Sequence, residues 1–231
     1  MTNIVVLIKQ VPDTWSERKL TDGDFTLDRE AADAVLDEIN ERAVEEALQI
    51  REKEAADGIE GSVTVLTAGP ERATEAIRKA LSMGAEIAGN ESTDGVGGAV
   101  PAIIAEYLGL PQLTHLRKVS IEGGKITGER ETDEGVFTLE ATLPAVISVN
   151  EKINEPRFPS FKGIMAAKKK EVTVLTLAEI GVESDEVGLA NAGSTVLAST
   201  PKPAKTAGEK VTDEGEGGNQ IVQYLVAQKI I

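Results

Sequence analysis

The chain has 231 residues with 24 Lys and Arg against 39 Asp and Glu, a formal net charge of -15, so most of its surface repels a nucleic-acid backbone or an anionic membrane. It has no cysteine, which excludes disulfides, thiol redox centres and Cys-ligated iron–sulfur clusters, and any electron transfer needs a borrowed cofactor. The length suits one large domain plus an appendage, and the apolar run in MTNIVVLIKQ is too short for a signal segment or membrane span, so a cytoplasmic protein is expected.

Ile4 to Ile8 is a continuous β-branched and aliphatic run, the pattern of a strand buried on both faces of a parallel sheet. Lys9 stands at its C-terminal end, where ligands of open α/β sheets gather. Val11 to Asp28 reads as a loop with a small hairpin about Thr21-Asp22-Gly23-Asp24, and it carries Trp15, either a surface anchor or a contact for a ligand or subunit. From Glu30 the pattern is helical, with Ala34, Leu36 and Ile39 before Asn40 and Val44, Ala47 and Leu48 after it; Asn40 is placed to cap a second helix. Glu45 and Glu46, with Arg42 and Arg51 nearby, read as a solvated helix face rather than a catalytic pair. Val63 to Leu66 is a second buried strand, and Gly69, Pro70 and Glu71 open a helix carrying Ala73, Ile77, Ala80 and Leu81. Two β-α units in succession predict an α/β fold with a mainly parallel sheet flanked by helices.

Glu86 to Pro101, EIAGNESTDGVGGAVP, ends a strand at Ile87 and Ala88 and passes through a glycine-rich turn into a helix from Gly98 or Ala99 that carries Ile103, Ile104 and Leu108. Such a helix start presents unpaired N–H groups and positive dipole, and Gly95, Gly97 and Gly98 let an anion approach closely. Asn90, Ser92, Thr93 and Asp94 add side-chain donors and acceptors. The spacing matches neither G-x-G-x-x-G nor a Walker A loop, and the same residues also suit a tight turn capped by Asp94 or Thr93, so the pattern alone leaves a phosphate cradle and a plain turn both open. His115 is the sole histidine; it has no partner set for a metal and supports no nucleophilic triad, so neither a metal site nor a catalytic residue is expected.

From Leu116 to Asn150 the period becomes that of strands, with Gly123-Gly124 as a tight hairpin turn and further strands at Val136 to Leu139 and Ala145 to Val149, which adds antiparallel strands to the fold. A loop with two prolines leads to a short helix at Ile164 to Ala167, the run Lys168 to Lys170, and a strand at Val172 to Leu175. The lysines with Phe158, Phe161, Ile164 and Met165 suit either a solvated turn or an interaction surface. From Val182 to Gly218 apolar periodicity fades, and NQIVQYLVAQKII then forms a helix with Ile221, Val222, Leu225 and Val226 on one stripe and Asn219 as its cap. The expected division is an α/β nucleotide-binding domain over 1–182 and an extended C-terminal arm over 183–231, whose helix packs on a partner.

Several of these stretches coincide with one family. IVVLIKQVPD at 4–13, AVEEAL at 43–48, TAGP at 67–70, ALSMGA at 80–85, AGNESTDGVGGAVP at 88–101, NEPR at 154–157 and KGIMAAKKK at 162–170 resemble the beta subunit of electron transfer flavoprotein. The resemblance implies a heterodimer with an alpha subunit that holds one FAD mainly itself, an AMP buried in the beta subunit, and no bond-breaking chemistry in this chain. It implies electron flow from dehydrogenases, such as those acting on acyl-CoA in fatty acid oxidation, to a membrane quinone oxidoreductase or another acceptor. Carried over by position, the AMP site takes Leu7, the segment Asp37 to Asn40, Ala68, and the cradle Gly89, Asn90, Ser92, Thr93, Asp94, Gly95, Val96, Gly97, Gly98, Ala99 and Val100. Phe161, Ile164 and Met165 fall on the loop that docks onto partner dehydrogenases. Two departures stand out. Asp37-Glu38 replaces the usual Asn-Pro pair, and only Glu86-Ile87-Ala88 joins Ala85 to Gly89 where the family has about one further β-α unit, a shortfall of roughly thirty to forty residues. The competing readings are a stand-alone adenine-nucleotide-binding protein, a structural subunit with an empty cradle, and an electron-bifurcating form with a second FAD in place of AMP.

Overall fold

The computed structural model describes residues 2–83, 91–200, 202–203, 210 and 212–231. Strand β1 (Thr2–Leu7) pairs in parallel with β4 (Gly61–Leu66), from Thr2 opposite Gly61 to Leu7 opposite Leu66. The crossover between them carries a short antiparallel pair, β2 (Gln10–Pro12) with β3 (Ala34–Leu36), and then helix α1 (Glu38–Ala56). The helix predicted from Glu30 therefore starts later: Ala34 to Leu36 is extended, and the cap is Asp37, not Asn40. Asp37 Oδ1 accepts from the N–H groups of Ile39 and Asn40, two of the donors that a helix start leaves unpaired.

The inner face of α1 (Ala43, Val44, Ala47, Ile50) packs with Val6, Ile8 and Leu36 in a core that α2 (Thr74–Met83) joins through Ala76 and Ala80. Helix α3 (Val100–Leu108) follows the glycine-rich turn and ends at Gly109, whose φ of 63° is the left-handed C-terminal stop. Next come β5 (Gln112–Glu122), β6 (Lys125–Thr132), β7 (Gly135–Thr142) and β8 (Val146–Val149), in the spatial order β7-β6-β5-β8. The first three are antiparallel, as their period predicts, and β8 runs parallel to β5. The β5–β6 hairpin turns at Gly123 and Gly124, φ 58° and 78°, the positive pair that a type I′ turn requires. The fold is α/β, a parallel β-α-β core with antiparallel strands added.

Helix α4 (Phe161–Ala167) starts earlier than the predicted Ile164, capped by Ser160, whose Oγ accepts from the Gly163 N–H. The strand expected at Val172 to Leu175 does not form; these residues are irregular, and Val174 and Leu175 are exposed. Their pattern suits a strand, yet they pair with none of the described strands. Two compact units are present, Met1–Thr195 and Val196–Ile231. In the second, α5 (Gly217–Ala227) begins two residues before the predicted cap Asn219, and Asp213 Oδ1 accepts from the Gly217 N–H instead.

Candidate functional site

A cavity of about 580 Å³ opens at the C-terminal ends of β1 and β4. Leu7, Ile8, Leu66 and Ile104 give it apolar walls, while Lys9, Asn40, Thr67 and Ser92 bring polar groups. Gly95, Gly97, Gly98 and the α3 start at Val100 and Pro101 close it on the side of the turn. No side chain caps α3, so the expected cap by Asp94 or Thr93 is absent and its first-turn donors are not taken by one. Pro101 has no N–H to satisfy, which leaves the amides of Val100 and Ala102 as donors of that first turn. A Cβ at Gly97 would meet no atom within 4 Å, and Gly98 has φ 60°. Among the described residues, Thr67 Oγ1 is buried without a hydrogen-bond partner.

Asp37 holds the turn in place. Its side chain is fully buried, and while Oδ1 caps α1, Oδ2 accepts from the Thr93 N–H at 2.7 Å and the Thr93 hydroxyl at 2.9 Å. Asn40 is also used structurally, since its Oδ1 accepts from the Lys9 N–H at 2.8 Å and ties the end of β1 to α1. The variant Asp37→Ala is expected to lose about 1 kcal/mol for the cap and on the order of 1.5–3 kcal/mol for the charged bonds to Thr93. A urea denaturation midpoint unchanged from the parent protein would contradict this clamp.

The Asp94 side chain is buried and lies between two cations, with Lys9 Nζ 2.9 Å from Oδ1 and Arg29 Nη1 2.5 Å from Oδ2. Burial pushes its pKa up, but the hydrogen bonds from Lys9, Ser92 and Arg29 outweigh burial and hold the carboxyl well below the usual range. Asp94 therefore balances Lys9 and Arg29 and does not line the cavity. Glu91 does line it, and among the described residues it has no ion-pair partner. Neutralising it in Glu91→Gln is expected to tighten binding of a nucleotide phosphate by a few-fold, on the order of the 0.2–1 kcal/mol of a solvent-screened charge pair, as read by titration calorimetry.

Of the residues singled out from sequence, Leu7, Asn40, Ala68, Ser92, Gly95, Gly97, Gly98 and Val100 surround the cavity. Thr93 and Asp94 brace the turn from behind, Val96 is exposed with φ 47°, and Ala99 precedes α3. Gly89 and Asn90 lie outside the described residues. Sequence reasoning missed Ile8, Leu66, Thr67 and Ile104 as lining groups and Asp37 as the clamp; the only signal for them was position, at strand ends and before the helix. His115, with φ 60°, stands outside this lining, its Cε1 3.9 Å from where a Gly98 Cβ would lie.

The acidic pair on α1 departs from expectation. Glu45 and Glu46 are buried, not solvated. Arg157, from NEPR, donates from its backbone N–H and Nε to Glu45 Oε2 at 3.1 and 2.8 Å and from Nη2 to Oε1 at 3.0 Å, while its Nη1 reaches Glu52. Asn154 Nδ2 donates to Glu46 Oε2 at 3.0 Å and to the Arg42 carbonyl at 2.9 Å. Burial first of all raises the Glu46 pKa, whereas for Glu45 the bonds from Arg157 and Gln49 outweigh burial and lower it. The segment after NEPR is thus pinned to α1 and carries an exposed row of Phe158, Phe161, Ile164 and Met165.

The family model of the electron transfer flavoprotein domain matches residues 24–88 and 86–180. The chain is 86% identical over 266 residues to the electron transfer flavoprotein subunit beta of Mycobacterium tuberculosis (strain ATCC 25618 / H37Rv), with all of both chains covered. The chain belongs to the electron transfer flavoprotein beta subunits. It is 82% identical to the subunit beta of Mycobacterium leprae (strain TN) over 266 residues, again covering both chains fully. To that of Thermoanaerobacterium thermosaccharolyticum it is 34% identical over 265 residues, covering 99% of this chain and 100% of the other. The alignments with the mycobacterial beta subunits count 266 residues, 35 more than the 231 of this chain, and the two family matches overlap at 86–88. Among the described residues, no helix is long and apolar enough to cross a membrane, and no cluster of three His, Cys, Asp or Glu side chains stands ready for a metal.

Proposed function

We propose that this chain is the beta subunit of a heterodimeric electron transfer flavoprotein in the cytoplasm, holding AMP in the cavity between β1, β4 and α3. The observation that carries the reading is the glycine-walled cavity beside an uncapped helix start, in a chain of this family. AMP suits the site for three reasons. The amides of Val100 and Ala102, with Lys9 nearby, meet the phosphate. Leu7, Leu66 and Ile104 offer apolar walls to the base. Thr67 Oγ1, without a partner among the described residues, supplies a polar contact to a hydroxyl or ring nitrogen.

The same cavity does not suit an isoalloxazine, because among the described residues no aromatic side chain lines it. FAD is accordingly held mainly by the alpha subunit and supplies the redox chemistry when bound. This chain contributes binding and docking, not bond-breaking chemistry. Electrons pass from dehydrogenases, such as those of acyl-CoA, to a quinone oxidoreductase. The docking patch is Phe161, Ile164 and Met165 on α4, extended by Phe158, which is 95% exposed. Helix α4 is held rigidly: Arg78 on α2 donates to the carbonyls of Ala167 and Lys170 at 2.7 and 2.6 Å, and a Cβ at Gly163 would stand only 2.6 Å from the Ser82 carbonyl oxygen.

Co-expression with the cognate alpha subunit tests the assignment. A stable one-to-one complex with flavin absorbance, reduced by a dehydrogenase and its substrate, is the expected result. Phe161→Ala with Met165→Ala should slow reduction by the dehydrogenase and leave complex formation intact. A chain that stays alone in the presence of the alpha subunit would contradict the proposal.

A further inference from the structure

The charges at the turn end of the nucleotide cavity nearly cancel. Of the described side chains that line the cavity, Lys9 is the one cation and Glu91 the one anion. Lys9 is already engaged, because its Nζ donates to Ser92 Oγ at 3.2 Å and to Asp94 Oδ1 at 2.9 Å. Two further cations stand near the turn, and both are committed as well. Arg29 is paired with Asp94 Oδ2, and Arg18 donates from Nη1 to the Thr93 carbonyl at 3.0 Å. Residues 84–90, which precede Glu91 in the chain, include no lysine, arginine or histidine and so bring no cation with them.

Glu91 is half-buried, and its carboxylate lies against the turn that leads into α3. A Cβ placed on Gly98 would stand 3.5 Å from Glu91 Oε2 and 3.9 Å from His115 Cε1. One phosphate at this end meets the amides of the α3 start, which carry roughly half an elementary charge. Each further phosphate of a nucleotide adds about one negative charge. Among the described residues that charge finds no uncommitted cation, and Glu91 stands beside it. Like charges repel more strongly in a cleft that excludes part of the water than on an open surface. A divalent cation could offset the repulsion, but no cluster of three acidic or histidine side chains among the described residues is placed to hold one.

Resting on the reading of this cavity as the AMP site, we infer that Glu91 sets its specificity, as a charge filter that accepts a nucleoside monophosphate and rejects nucleoside di- and triphosphates. The carboxylate costs the first phosphate little and every added phosphate more, so affinity falls in the order AMP, ADP, ATP.

The test is calorimetric titration of the full chain with AMP, ADP and ATP at pH 8, with a chelator present to remove divalent cations. AMP is expected to bind roughly tenfold or more tightly than ADP, and ADP more tightly than ATP. Glu91→Gln should tighten ADP more than AMP and narrow that ratio by about threefold or more. Glu91→Lys should bring ADP level with AMP or ahead of it. His115→Asn changes the other side chain facing Gly98, keeps a residue type that tolerates the positive φ of 60°, and should leave the ratio as it is. Equal binding of AMP and ADP by the parent protein needs no variant to read and would overturn the inference while leaving the AMP site standing. A ratio unmoved by Glu91→Gln, or moved as far by His115→Asn, would do the same. A parent protein that binds none of the three nucleotides would overturn the AMP site and the filter together.

Discussion

Gly97→Asp is expected to abolish nucleotide retention while leaving the fold intact. A Cβ at Gly97 meets no protein atom within 4 Å, and no unusual φ constrains the residue, so the substitution costs the protein little by itself. The new carboxylate stands in the space where a phosphate approaches the α3 amides, excluding it by volume and by like charge. Binding of AMP should weaken by at least 100-fold, about 2.7 kcal/mol. Gly98→Asp should do the same with added backbone strain, since Gly98 has φ 60°. Calorimetric titration of both variants, with urea unfolding as the control for folding, separates the two effects. Retention of AMP by a folded Gly97→Asp protein would remove the phosphate from this turn.

Arg157→Ala should be strongly destabilising although it lies outside the core. It leaves Glu45, with a side chain 6% exposed, without its cation and close to the buried Glu46. Breaking a buried pair from one side costs about 3–5 kcal/mol. Arg157 is itself 36% exposed and its second partner Glu52 is 60% exposed, so solvent screening reduces the expected loss to about 2–3 kcal/mol. The pH dependence gives the test a second axis. In the parent protein Glu45 is held below its ordinary pKa, so its contribution is present above the ordinary carboxylate range and is lost as pH falls through the lowered value. In Arg157→Ala burial dominates and raises that pKa, so stability falls as pH rises through the same range. The stability gap between the two proteins should therefore widen from about pH 3 to about pH 6. Glu46, raised by burial, shifts both curves in the same direction and leaves the gap in place. A gap that is flat with pH would show that Arg157 acts through packing and not through Glu45.

The β-α-β core was legible because Ile4 to Ile8 and Val63 to Leu66 are unbroken β-branched and aliphatic runs, although among the described residues both strands alternate with exposed positions such as Val5 and Leu66 and are not buried on both faces as expected, and the Gly123-Gly124 hairpin because only one turn type wants two positive φ angles in sequence. Ala34 to Leu36 was not. Three apolar residues fit either period, and what decides for a strand is the pairing with Gln10 to Pro12, a tertiary contact. The cap moved from Asn40 to Asp37 for a related reason, since the Asn40 oxygen is occupied by the Lys9 amide across the end of β1. Glu45 looked solvated because its neighbours on the helix supply arginines, yet the arginine that meets it is 112 residues away. The glycines of the turn were visible as a possible cradle; that Asp94 faces Lys9 and Arg29 behind the turn, leaving Glu91 as the acid in the cavity, depends on how the loop folds over the end of β1. Val172 to Leu175 carries a strand pattern yet pairs with no described strand, because a pattern specifies a willing strand and not its partner.

The most direct test of the account is the nucleotide content of the complex. The chain is purified with its alpha subunit, the complex is denatured, and the released nucleotides are separated by chromatography and quantified by absorbance. One FAD and one AMP per heterodimer is the predicted result, with the AMP lost and the FAD kept in the Gly97→Asp complex. Two FAD and no AMP, or AMP retained in that variant, would contradict the assignment of AMP to the cavity between β1, β4 and α3.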